Sequence, residues 1–140
     1  MLTMTQTEID KFLQAPRHAI VGTIGADGRA HLSPVWYLYE SNRLYITLGT
    51  DAAKYRNLQR DPRISVCVDA GHPDARAVML YGTAGFVAKG EPMEEEMFWR
   101  IVRHYHNTDE AAQRYGDSVR GRPMVLVVVH LEKIISQDFN

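Results

Sequence analysis

Apolar residues recur at two different periods along this chain, and the switches between them divide it into strands and helices. Leu44, Ile46 and Leu48 alternate with Tyr45 and Thr47, which predicts a strand over 43–49 with one buried face, ended by Gly49. Thr50 or Asp51 then caps a short helix that stops near Arg60, because Pro62 disfavours helical geometry at Asp61. The same alternation predicts strands over 19–24, 30–39, 63–69 and 76–87, and the turn Gly25-Ala26-Asp27-Gly28 folds the first back on the second as a hairpin. Pro34 donates no ladder hydrogen bond, so strand 30–39 belongs at a sheet edge or carries a bulge. In 63–69, Ile64, Val66 and Val68 face inward while Cys67 shares the other face with Ser65 and Asp69; strand 76–87 is expected to bend at Gly82 or Gly85.

Helical periods occupy the remainder. Thr5 and Glu8 stand at capping-box spacing ahead of Ile9, Phe12 and Leu13, and Pro16 halts that helix. Pro92 opens another, with Met93, Met97, Ile101, Phe98 and Tyr105 on its apolar side and Glu94, Glu95 and Glu96 as a solvated complement to its dipole. A further helix over 109–115 ends at Gly116, and strands 123–131 and 133–139 close the chain. Residues 124–129 are apolar on both faces, as burial inside a barrel or against a partner subunit would require. Strands without regular helix alternation predict a mainly β fold: an antiparallel β-barrel with a few helices, not a doubly wound sheet.

Composition narrows the function classes. With 140 residues, the chain is expected to form one domain over 1–140. A net charge of −1 with no basic cluster argues against nucleic acid, and the longest apolar run, 124–129, is far short of the roughly 20 residues that span a membrane. The N-terminus lacks an apolar signal core, and the lone Cys67 fits a reducing cytoplasm, the expected location. None of the six histidines stands at a metal-ligand spacing, and no nucleophile elbow or phosphate-loop motif is present, so difficult chemistry would need an organic cofactor. One anion site is legible. Strand 43–49 runs into a helix N-terminus with unpaired N–H groups, and helical rotation sets Lys54 beside the packed Tyr55 and Leu58, with Asn57 next to it and Arg56 and Arg60 turned to solvent.

The stretches HAIVGTIGADGRAHLSPVWYLYE, RLYITLGT, KYRNLQRDPRISVCVD and Tyr81-Gly82-Thr83-Ala84 together resemble the pyridoxamine-phosphate-oxidase-like, FMN-binding split β-barrel family, most closely its deazaflavin (coenzyme F420) branch. The likeness covers residues 12–90 in order and spacing, and 92–116 in character only. It implies a homodimer with two interface sites for coenzyme F420 or, alternatively, FMN. Carried over by position, Ser33, Pro34, Val35 and Trp36 lie along the ring system, and Ile46, Thr47 and Leu48 meet the ring or ribityl chain. Thr50 and Lys54 contact phosphate, and Asn57 contacts the cofactor or braces the helix. Relatives often carry a base where this chain has Ala52, and Arg120 and Arg122 are candidates to reach a site from the partner subunit. True pyridoxamine phosphate oxidases carry an arginine near the C-terminus; none follows Arg122 here, which disfavours that activity. The implied function is a flavin- or deazaflavin-dependent oxidoreductase passing hydride to a small unsaturated substrate, with Tyr37, Tyr81 or a histidine as proton donor. The alternative is a non-catalytic carrier or sensor of flavin, deazaflavin or haem.

Overall fold

The computed structural model describes residues 2–140. Helix α1 (Gln6–Gln14) carries the expected capping box, with Thr5 accepting from the Glu8 N–H and Glu8 accepting from the Thr5 N–H, and it buries Ile9, Phe12 and Leu13. Strands β1 (Ala19–Ile24) and β2 (Ala30–Val35) form the hairpin, in which Gly28 holds φ at +83°, a conformation that only glycine adopts freely. Next come β3 (Leu38–Glu40), β4 (Arg43–Gly49), α2 (Ala53–Arg60), β5 (Arg63–Asp69) and β6 (Arg76–Ala88), then α3 (Pro92–His104), α4 (Asp109–Val119) and β7 (Met124–Asp138).

The strands join in the order β2-β1-β5-β6-β7-β4-β3, antiparallel at every pairing. The two edge strands are consecutive in sequence, linked only by Trp36 and Tyr37. Three peptide units reach no more than about 11 Å, so the edges must meet and the sheet must curl into a barrel with an unpaired seam. This corrects the expectation of one strand over 30–39: its halves pair with β1 and β4 on opposite edges, and the chain crosses the seam between them. Pro34 accordingly sits on an edge strand.

The barrel interior is built from the inward alternation: Val21, Leu44, Ile46, Leu48, Ile64, Val66, Val68, Leu80, Val125, Val127 and Val129 are all buried in one cluster. Strand β7 is one element where two strands were expected. Tyr81 faces Lys133 but Gly82 faces Leu131, so Glu132 is an extra residue that bends the strand without ending it. Gly82 is required there, since a Cβ would lie 2.2 Å from the His130 carbonyl oxygen.

The two-sided apolar run 124–129 is covered by its own chain. Val125, Val127 and Val129 point into the barrel, Leu126 and Val128 pack under α3, and Met124 joins Phe98, Val102 and Ala112 between the helices. That run therefore gives no reason for a partner subunit.

The helices differ from expectation at three places. Met93 is exposed, so the apolar face of α3 is Met97, Phe98, Ile101 and Val102. Glu94 is fully buried instead of solvated, because both its oxygens pair with Arg120, the C-cap of α4, and one also accepts the Gly90 N–H. Helix α4 runs through Gly116, whose bare Cα lets the Trp99 ring press against it; a Cβ would fall 2.1 Å from Trp99 Cζ3.

Candidate functional site

A cleft of 540 Å³ opens beside the seam. Pro34, Val35 and Trp36 supply the seam side, Thr47 and Gly49 the outer face of β4, and Asp51 and Lys54 the start of α2. The opposite wall is Phe98, Ile101, Val102, Tyr115 and Val119 of α3 and α4, with Arg122, Pro123 and Met124 closing one end and His18 on the rim. The cleft is polarised. Its cations Lys54 and Arg122 gather where β4 enters α2, because the Thr50 N–H donates to the Pro123 carbonyl at 3.4 Å and ties the two loops together. Its other end is aromatic and aliphatic.

Lys54 is half-buried, and Nζ donates to Ser33 Oγ at 3.1 Å. Among the described residues no carboxylate pairs with it. Burial holds its ammonium below the ordinary lysine range, the mark of a cation that has given up water without gaining an anion. The helix beside it starts at Ala52, which offers no side-chain cap; Thr50 and Asp51 do not cap it as expected. The Tyr55 N–H donates to the Ala52 carbonyl, which leaves the Ala53 and Lys54 N–H groups of the first turn without an intrahelical acceptor, so charge and dipole converge on the same place.

Thr47 Oγ1 is buried with no hydrogen-bond partner, the one side-chain atom in that condition among the described residues. Leaving such a hydroxyl unpaired costs about 1–3 kcal/mol, which a polar ligand atom in the cleft would relieve. Across from it, the Trp36 ring stacks on Tyr105 with centroids 4.9 Å apart and planes 8° from parallel, while Tyr115 lies 5.1 Å away at 48°.

The other expected site residues are placed as follows. Ser33 meets the cleft only through Lys54. Ile46 and Leu48 turn their side chains into the barrel core, and Thr50 contributes its backbone link to Pro123 but no part of the lining. Asn57 is buried against β1, donating to Thr23 Oγ1 at 3.1 Å and accepting from Arg60, which itself also donates to the Ile24 carbonyl. It braces the helix whose first turn carries Lys54, and Arg60, exposed as expected, lends its guanidinium to that brace.

Of the two arginines, Arg120 is bound to Glu94 and Glu95 and is not free to reach elsewhere, whereas Arg122 lines the cleft of its own chain. The two tyrosines expected as proton donors lie outside the cleft. Tyr37 is fully buried, donates to the Ala15 carbonyl at 3.3 Å and is pushed far up by burial; Tyr81 stands on the outer face of β6. His18 is the histidine in the lining. No group of three metal-binding side chains occurs among the described residues.

Residues 5–138 match the family described as Pyridoxamine 5'-phosphate oxidase. The chain belongs to that family. Similar solved structures include conserved hypothetical protein Rv2991 from Mycobacterium tuberculosis, 28% identical, with TM-score 0.78 over 98% of this chain and 86% of that one. An F420 reductase is 18% identical, with TM-score 0.68 over 89% and 94%. The haem storage protein HutZ from Vibrio cholerae is 14% identical, with TM-score 0.77 over 94% of each chain. The last two likenesses show the shared fold alone.

The family implies a flavin-type cofactor, and the residues in the cleft fit one. The unpaired Lys54 and the open helix start suit a phosphate, the orphan Thr47 hydroxyl suits a polar ring atom, and the Trp36 and Tyr115 rings suit a flat heterocycle. Sequence reasoning missed Tyr105, Tyr115 and His18 as neighbours of this site. Nothing local marks them, since they come from two helices and a loop that only folding brings to the seam.

Proposed function

We propose that this protein is an oxidoreductase that binds coenzyme F420, in preference to FMN, and passes hydride to a small unsaturated substrate. The observation that carries the reading is Lys54: a half-buried ammonium without a carboxylate, oriented by Ser33 and placed at an uncapped helix start. When bound, the cofactor supplies the hydride. The chain's own side chains bind and orient: Lys54 neutralises a phosphate, Thr47 donates or accepts at the ring, and the α3–α4 wall keeps water from the apolar end. Arg122 favours the longer acidic cofactor, because it adds a second cation at the end where Ala52 lacks one.

Titration with both cofactors at two ionic strengths tests this. F420 is expected to bind more tightly at low salt and to weaken more with salt, because its extended acidic tail lies in solvent; tighter FMN binding in both conditions overturns the preference. The second reading, a haem carrier without turnover, is favoured by His18 on the rim, an imidazole that could ligate iron. A Soret band in the purified protein, with no oxidation of reduced cofactor when electron acceptors are offered, would establish it instead.

The protein is further read as a homodimer. Ile20 faces Cys67, Cys67 faces Met79, and Met79 faces Ile135, making an apolar row across four strands on the outside of the barrel. Ile20 is 38% exposed and Ile135 40%, and Leu32 beside them is 65% exposed. Together they form a contiguous patch that association would cover.

A further inference from the structure

Trp36 is a cleft residue whose ring orientation depends on an aromatic side chain from outside the cleft lining. It sits on the seam, where the backbone has no strand partner, so its ring and the Tyr37 N–H need fixing by something other than the sheet. Tyr105, the C-cap of α3, does both. Its hydroxyl accepts from the Tyr37 N–H at 3.1 Å and donates to the Arg17 carbonyl at 2.6 Å, while its ring stacks in parallel on Trp36. One hydroxyl thus uses its donor and an acceptor to tie the seam to the loop before β1, next to His18. The ring covers one face of Trp36, and His106 meets its edge at 84°.

We propose that Tyr105 is a positioning residue: it sets the angle of the Trp36 ring and, through Trp36 alone, the fit of the flat ligand in the cleft. This rests on the reading that the cleft holds such a cofactor. Tyr105 is not part of the cleft lining, and with Trp36 as its one route to the ligand its effect vanishes when Trp36 is gone.

The test is a double-mutant cycle on FMN and F420 affinity with Trp36→Leu, Tyr105→Leu and the double variant, plus Tyr105→Phe, which keeps the stacking. Tyr105→Leu is expected to weaken binding about three- to tenfold, Tyr105→Phe by less, and the double variant no more than Trp36→Leu alone. In a Trp99→Phe background, where Trp36 is the sole tryptophan, Tyr105→Leu should also shift Trp36 emission to the red well below the melting temperature, with Tyr105→Phe close to the parent. Multiplying losses in the double variant, or a Tyr105→Leu affinity equal to wild type, overturns the inference and leaves the cofactor reading intact. Unchanged affinity in Trp36→Leu overturns the inference together with the ring placement, while Lys54→Ala still reports on the anion site.

Discussion

At the scale of single residues, the site is defined by two groups whose ordinary partners are absent, and each makes a different prediction. Lys54→Ala removes a charge-assisted hydrogen bond and should weaken cofactor binding by about 1.5–3 kcal/mol, whereas the solvent-facing Arg56, whose guanidinium bonds only to the Asp51 carbonyl, should matter far less when changed to alanine. Equal losses in calorimetric titration would show that the two faces of α2 had been wrongly assigned. Thr47→Val should separate stability from binding. Replacing an orphan buried hydroxyl by a methyl of similar shape should raise the melting temperature by a few degrees, a gain of about 1 kcal/mol, and at the same time weaken the cofactor. A variant that binds as tightly as wild type would place no ligand atom near that hydroxyl.

At the scale of elements, the α3–α4 pair forms one wall of the cleft and hangs on a buried ion pair. Burial alone would raise the Glu94 carboxyl, but Arg120 and the Gly90 N–H outweigh it, so the net shift is below the ordinary 4.5. A depressed folded value means the carboxylate stabilises the fold above the unfolded value and loses that contribution as pH falls through the folded one. Glu94→Gln should therefore cost about 3 kcal/mol at neutral pH, since Arg120 keeps only Glu95, and the gap to wild type should narrow below about pH 4.5. Thermal melts of both proteins from pH 7 to 3 would show it; a gap constant across that range would mean the carboxylate charge is not what stabilises the pair. Gly116→Ala belongs to the same wall. Its methyl would meet the Trp99 ring, and overpacking of about 1–3 kcal/mol should follow despite alanine's better helix propensity, read as a lower melting temperature.

At the scale of the whole molecule, the barrel has an inside filled by its own residues, one outer region covered by α3 and α4, and another that carries the apolar row of Ile20, Cys67, Met79 and Ile135. Sedimentation at micromolar concentration should give a dimer. Ile20→Lys with Leu32→Glu should give a folded monomer, because both side chains are on the exposed patch and outside the barrel core. A wild-type protein that sediments as a folded monomer ends the dimer reading.

Periodicity and local caps determined most of the elements on their own. The alternation in 43–49, the capping box at Thr5 and the glycine turn before Arg29 are short-range facts, settled by sterics and hydrogen bonds a few residues apart. The family was legible from ordered motifs, as was the placing of Lys54 beside the packed face of its helix. Tertiary structure alone decided the break at Trp36 and Tyr37, because it depends on which strands lie at the two edges of the sheet. It also decided that Glu94 is buried, because its partner Arg120 caps the end of another helix, and that Gly116 is a contact for Trp99 and not a helix end. The same holds for the cleft. Lys54 at its cationic end reads from one strand–helix junction, but Arg122 beside it is brought there by the loop before β7, and the aromatic end comes from the seam and two later helices, whose meeting is set by packing between residues far apart in the chain.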